Sequence, residues 1–169
     1  MKLPHTDRLE VPQAKVAQYL LSSTHRAGRG KAGFFSAFGF QVSAWEVLAE
    51  ALRQQARDNA VTFSEGTPFG TRYIVEGPLV APNGRQLQVR TVWFIDEGGQ
   101  VPRFVTAYPL RRGDIGTVVL IHRGGEGYEV EFTTLDGETV AVVTLLAAQV
   151  RPAHKREIAH ARELAGSAS

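Results

Sequence analysis

An α+β architecture is expected from this 169-residue chain, on three observations. Apolar residues recur at helical spacing through roughly the first 58 positions. Further on they alternate in short runs divided by Gly- and Pro-containing turns, the pattern of antiparallel strands. Past Pro109 another set of short strands crowds into about 40 residues, a density that suits a small SH3-like β-barrel. The expected order is therefore three helices packed on an antiparallel sheet, then the barrel, then a short C-terminal helix.

Each element has a local reason. In VPQAKVAQYLLS (11–22) Val16, Tyr19 and Leu20 share a helical face, and Pro12 suits a first turn. KAGFFSAFGF (31–40) places Phe34, Phe35 and Phe38 on one stripe that Gly39 terminates. In the third helix Ser43 is the expected N-cap and Glu46 completes a capping box, ahead of an apolar face of Trp45, Leu48, Ala49 and Leu52. The β-rich runs TRYIVEG (71–77), QLQVRTVWFID (86–96) and PRFVTAY (102–108) are set off by turn signals at Thr67-Pro68, Pro82-Asn83-Gly84 and Gly98-Gly99. Along 86–96, Leu87, Val89, Thr91, Trp93 and Ile95 fall on one face, and Gln88, Arg90, Val92, Phe94 and Asp96 on the other.

GDIGTVVLIHR, GYEVEFTTLDGETVAVVTLL and AAQVRP then read as four short strands, with turns at Gly124-Gly125 and Asp136-Gly137. Tyr128, Val130 and Phe132 point one way, Glu129 and Glu131 the other. The expected modules are 1–109, 110–152 and a polar tail helix over 153–169. They abut without a low-complexity linker.

Charge divides along the same lines. Residues 1–109 carry 12 Lys/Arg against 9 Asp/Glu, residues 110–150 carry 3 against 6, and 15 of the 19 basic residues are Arg. Arginine is the side chain best shaped for bidentate phosphate contacts, so a basic phosphate-binding unit joined to an acidic one is expected. No long apolar run suggests a membrane span, and MKLPHTDRLE has no apolar core of a secretory signal. With no cysteine present, a cytoplasmic protein without disulfides or thiolate metal sites is expected. The five His are scattered and no HExxH, Walker A, GxSxG or dinucleotide fingerprint occurs, so neither metal nor cofactor is expected.

The stretch STHRAGRGKAGFF (23–35) crowds His25, three cationic side chains and three glycines ahead of the aromatic stripe. A Gly-rich turn opening a helix brings backbone N–H groups and a favourable dipole to a phosphate. Metal-free RNA cleavage needs a base at the 2′-hydroxyl, an acid at the leaving 5′-oxygen and cations around the phosphorane. The candidates for these roles are His25, Lys31, Arg90, Arg103, Thr106 and Tyr108, with Arg85 a further sheet cation. Each also has a plain structural reading: His25 ends a helix, Lys31 is a solvated first-turn residue, Arg90 is a surface rung, and Thr106 and Tyr108 are β-formers. Spacing alone does not decide between the two.

Residues 14–109 resemble a bacterial domain family of unknown function, through KVAQYLLSSTHRAGRGKAGFFSAFGF, GTRYIVEG, GRQLQVRTVWFID and PRFVTAYP. That family is in turn similar to ribonuclease toxins of the barnase/RelE-like class, in its order of helices then sheet, its early His and Lys, and its closing T-A-Y-P strand. Where the family often has Pro after the His, this chain has Arg26. Residues 110–152 resemble a second small bacterial family of unknown function through LRRGDIGTVV, YEVEF and GETVAVVT. Members of it usually begin with a further strand, which is expected to be missing here or supplied by the first module.

The resemblances imply a toxin–antitoxin-type protein: a metal-independent ribonuclease-like module with RNA as partner, held by an acidic SH3-like module in intramolecular contact. Two other readings stay open at this point: a non-catalytic two-module protein that binds RNA or another protein, and a degenerate remnant with little activity.

Overall fold

In the computed structural model residues 1–25, 29–110, 113–135, 137 and 139–159 are described. The chain divides into two compact units, Met1–Arg111 and Arg112–Leu164. Both are built on antiparallel sheets, and helices precede the first, so the α+β class holds.

Helix α1 (Gln13–Lys15) begins after Pro12 and widens into a π-helical turn over Val16–Leu20, closed by the Leu21 amide on the Val16 carbonyl at 2.9 Å. Val16 and Leu20 are buried, as their spacing requires. Helix α2 (Arg29–Ala37) carries the Phe stripe inward and stops at Gly39, whose φ is +93°. The Gly39 amide bonds Ser36 and the Phe40 amide reaches back to Phe35, a Schellman closure that needs a left-handed residue there.

Helix α3 (Trp45–Asp58) buries Leu48, Ala49, Leu52, Gln55 and Ala56. Its start corrects the expected cap: Val42–Ala44 winds into a 3-10 turn, Ala44 stands at the N-cap, and no side chain bonds the first turn. Ser43 is consumed by that tighter turn and so cannot cap the helix.

The first sheet is a meander, β1 (Val61–Thr67), β2 (Gly70–Val80), β3 (Gln86–Asp96) and β4 (Arg103–Tyr108), in that spatial order. Strands β2 and β3 pair without a break from Gly70↔Asp96 to Val80↔Gln86 around the Pro82-Asn83-Gly84 turn. Leu87, Val89, Thr91 and Trp93 face inward, with Val75, Leu79, Phe104 and Ala107 beside them. The helices lay Val16, Leu20, Phe35, Phe38, Leu48 and Leu52 onto this face to complete the core.

Strand β1 was absent from the expected elements. Its Ser64, Glu65 and Gly66 are weak β-formers, and pairing with β2 holds them extended. The hairpin that adds β1 depends on Gly70, at φ +142°. A side chain there would sit on the Ile95 carbonyl oxygen and the Asp96 backbone. Gly70→Ala should therefore cost about 1–3 kcal/mol in thermal denaturation. Gly33→Ala, with nothing within 4 Å of the added methyl, should gain about 0.5–1 kcal/mol in α2.

The second unit holds a three-stranded sheet, β5 (Thr117–His122), β6 (Gly127–Thr133) and β7 (Thr139–Leu146), ordered β5-β6-β7. Tyr128, Val130 and Phe132 oppose Leu145, Val143 and Ala141, giving this unit an apolar face. Among the described residues there is no closed barrel, which corrects the SH3-like expectation. AAQVRP does not extend the sheet: the Gln149 side chain accepts the Leu146 amide at 2.9 Å and bends Ala147–Gln149 into a 3-10 turn. In 153–159 no helix forms, because Glu157 gathers the Arg151 guanidinium and the His154 amide into a local turn. Residues 160–169 of the expected tail helix lie outside the described residues.

No helix among the described residues is long and apolar enough to cross a membrane.

Candidate functional site

Lys31 opens the Phe34/Phe35/Phe38 stripe, three, four and seven residues ahead of those rings, so its side chain follows them inward. Only 2% of it is exposed. The Nζ donates to Tyr19 Oη at 2.6 Å and to Thr106 Oγ1 at 3.1 Å. It lies 4.6 Å from the centre of the Tyr19 ring and 4.1 Å from that of Tyr108. A lysine ammonium is tolerable at such depth when oxygen acceptors and aromatic faces surround it. Burial, helped by the positive charge of Lys15, pushes its pKa down to about 7. Near neutral pH this amine is thus close to half protonated.

Tyr19 is delivered by the π-helical turn, half-buried, and its ring meets that of His25 edge-on at 5.0 Å between centres. Laid end to end, the 5.0 Å and 4.6 Å separations through the Tyr19 ring keep the His25 imidazole within 9.6 Å of the Lys31 ammonium. His25 is exposed. Tyr108 and Thr106 alternate along β4 and so share a face, opposite Arg90 and Val92 of β3. Burial, with Tyr19 nearby, pushes the Tyr108 phenol up to about 12, so it remains a hydroxyl at physiological pH.

Arg90 completes the row. It lies opposite Tyr108 on one side and Glu76 on the other, and its Nε donates to Glu76 Oε1 at 2.7 Å. Its side chain is 17% exposed. The β-ladder therefore lines up Glu76, Arg90 and Tyr108, with Lys31 beneath the Tyr108 ring.

Of the six residues singled out in the sequence, His25, Lys31, Arg90, Thr106 and Tyr108 are linked by these contacts. Arg103 is not among them. It opens β4, opposite Phe94, and its guanidinium pairs with Asp96 at 2.8 Å. Five residues of strand, about 17 Å, separate it from Tyr108. Arg85 lies instead against the Phe38 ring, at 4.9 Å. Arg26 and the two residues after it, the centre of the Gly-rich turn, lie outside the described residues.

Two members of the cluster escaped the sequence reading. Glu76 and Arg90 stand seven residues either side of Asn83, so counting outward from the turn would have paired them. Tyr19 carries only the signal of its position beside buried Leu20.

Residues 2–111 match a family described as Domain of unknown function (DUF6883). Residues 101–152 match a second, Domain of unknown function (DUF4926). The second match starts upstream of Leu110 and takes in β4. In this chain that strand is the edge of the first sheet. Neither a curated protein nor a solved structure matches the chain.

Proposed function

The chain belongs to the DUF6883 family through its first unit, and we propose that this unit is a metal-independent endoribonuclease of toxin type, restrained by the acidic module that follows it. The observation carrying this reading is the gathering of Tyr19, Thr106 and Tyr108 around one buried ammonium, with the exposed His25 against the Tyr19 ring and Arg90 across the ladder.

In the proposed reaction the exposed His25 takes the proton of an RNA 2′-hydroxyl. The O2′–P bond forms and the P–O5′ bond breaks, leaving a 2′,3′-cyclic phosphate. The departing 5′-oxygen receives the Tyr19 phenolic proton, which the Lys31 ammonium replaces. Arg90, fixed by Glu76, balances charge on the phosphorane oxygens. Thr106 and Tyr108 hold the Lys31 head in place. Lys31 is thereby a positioning residue, too deep to touch the phosphate itself. Arg103 is left without a part in the chemistry.

The test incubates single-stranded RNA with the full chain and with the unit Met1–Arg111. Cyclic-phosphate ends should accumulate, faster without the acidic module, and His25→Ala should slow cleavage about 100-fold or more. Absence of cleavage by both proteins, with no growth inhibition on expression, would sink the reading. A non-catalytic reading draws on the burial of Lys31 and on the carboxylate partners of Arg90 and Arg103. It requires instead that Arg90→Ala weaken RNA or protein binding and its salt dependence, with no strand scission to lose.

A further inference from the structure

Three arginines stand on the sheet face that carries Tyr108. Arg72, Phe94 and Arg103 form one row across β2, β3 and β4, and Glu76, Arg90 and Tyr108 form another. Between them runs a third row, Ile74, Val92 and Thr106, all buried. Arg72 and Arg90 are built alike. Each has a carboxylate directly opposite on the neighbouring strand towards β1, Glu65 for Arg72 and Glu76 for Arg90. Both ion pairs are only partly exposed, so each guanidinium is held in one direction rather than left to solvent.

The two pairs differ in how completely they close. Arg90 gives both Nε and Nη2 to Glu76. Arg72 gives Glu65 only Nη2, at 2.8 Å, and its Nε is buried without an acceptor among the described residues. An orphaned N–H on a cation is costly, and a native structure that keeps one calls for an acceptor from outside. Arg103 has no such need, because its side chain is 48% exposed and water serves it. Arg72 is also electrostatically part of the site. Burial pushes the Tyr108 phenol up, and the charges of Arg72 and Arg90 both pull against that rise, so each guanidinium lies within reach of it.

We propose that Arg72 is a second phosphate contact of the candidate site, taking the phosphate next to the one at Arg90, so that the site binds single-stranded RNA through two successive phosphates. The proposal rests on the nuclease reading for the place of the scissile phosphate. Along the ladder Arg72 and Arg90 stand four residues and one strand apart, about 14 Å between Cα atoms. Two long side chains reaching inward over Val92 close most of that gap. Glu65 holds the Arg72 guanidinium by one corner, and a turn about that corner brings the remaining N–H groups to an anion. The planar fork of arginine matches phosphate oxygens in pairs, which lysine does not. Glu65 orients Arg72 and does not itself touch RNA.

Fluorescence anisotropy of the full chain tests this, with an uncleavable 2′-O-methyl trinucleotide as the probe. Its two bridging phosphates are replaced in turn by a neutral methylphosphonate. In the wild type either replacement should weaken binding about tenfold, the worth of one charge-assisted contact. In Arg72→Gln the intact strand should already bind about tenfold weaker, and neutralising one of the two phosphates should cost nothing more. The slope of affinity against salt should fall by about 0.7 in that variant. Glu65→Gln breaks the same ion pair and should bind as the wild type does. Equal losses in Glu65→Gln and Arg72→Gln would mark a structural ion pair and overturn the proposal. So would an Arg72→Gln variant that still responds to both replacements. Should Arg72→Gln fail to fold, the wild type decides, since a chain indifferent to either replacement has no second contact. The same trinucleotide with its ribose 2′-hydroxyls restored separates the two readings. The expected binding pattern without any cleavage overturns the nuclease and leaves the Arg72 contact standing.

Discussion

Thermal stability should climb as pH rises from 7 towards 10, then fall beyond it, and Lys31→Met should abolish the climb. The folded chain holds the Lys31 amine at about 7 against an ordinary 10.5. Between those values the unfolded chain binds the proton and the folded chain has released it. Stability therefore increases with pH across that window, by at most about 1.4 kcal/mol per pH unit. Below pH 7 both states are protonated, and the full cost of a buried ammonium is present. Tyr108 acts in the opposite sense at higher pH. Its phenol is pushed up to about 12 from 10.0, so above pH 10 the unfolded chain loses a proton that the folded one keeps, and stability declines. Circular-dichroism melts at a series of pH values give the profile directly. Methionine fills the Lys31 space without a charge, so that variant should melt at nearly constant temperature from pH 7 to 10 and still decline above it. Tyr108→Phe should keep the climb and lose the decline. Parallel profiles for wild type and Lys31→Met would show that the ammonium is not the titrating group.

Local pattern carried the sequence reading as far as local physics reaches. The Phe stripe, the stop at Gly39, the inward face of β3 and the turns at Gly84 and Gly98 are each fixed by neighbours within a few residues, and each is present. Strand β1 was missed because its extended form is imposed by β2. The Ser43 cap failed because a 3-10 turn took up the residue first. Among the described residues no barrel closes, since closure depends on long-range pairing, which strand density does not report.

The site divides in the same way. Alternation put Thr106 and Tyr108 on one face. Arg103 was named only as a sheet cation: the bulge at Val105 does set it on the face of Thr106 and Tyr108, opposite Phe94, but its place at the far end of β4 and its pairing with Asp96 keep it from Lys31. The informative oversight is Lys31. Read as a solvated first-turn residue or as a phosphate ligand, it stands at a stripe position occupied elsewhere by phenylalanine. Helical spacing alone already pointed it inward. That position sets the ammonium among Tyr19, Thr106 and Tyr108 instead of in solvent.

Thr91→Val should be among the most damaging single changes in the chain, although it preserves shape and raises β-propensity. Thr91 is fully buried on β3, between Arg90 and Val92, whose partners on β4 are Tyr108 and Thr106. Its hydroxyl donates to Gln55 Oε1 at 2.9 Å and accepts the Trp93 indole N–H at 3.0 Å. Gln55 Nε2 in turn donates to the Val75 carbonyl at 3.4 Å. This network ties helix α3 to β2 and β3 across the core. Valine would leave the indole N–H and the Gln55 carbonyl without their partner in the apolar interior, at about 1–3 kcal/mol for each orphaned group. Trp93→Phe removes one of those groups, so its cost should be smaller in the Thr91→Val background than alone, a coupling that a double-mutant cycle in urea measures. Additive costs would mean that the hydroxyl does not hold the indole. Because the backbone ladder, rather than the Thr91 hydroxyl, sets the Arg90–Tyr108 register, the folded fraction of Thr91→Val should keep it. Any activity it loses should then track the unfolded population rather than the chemistry.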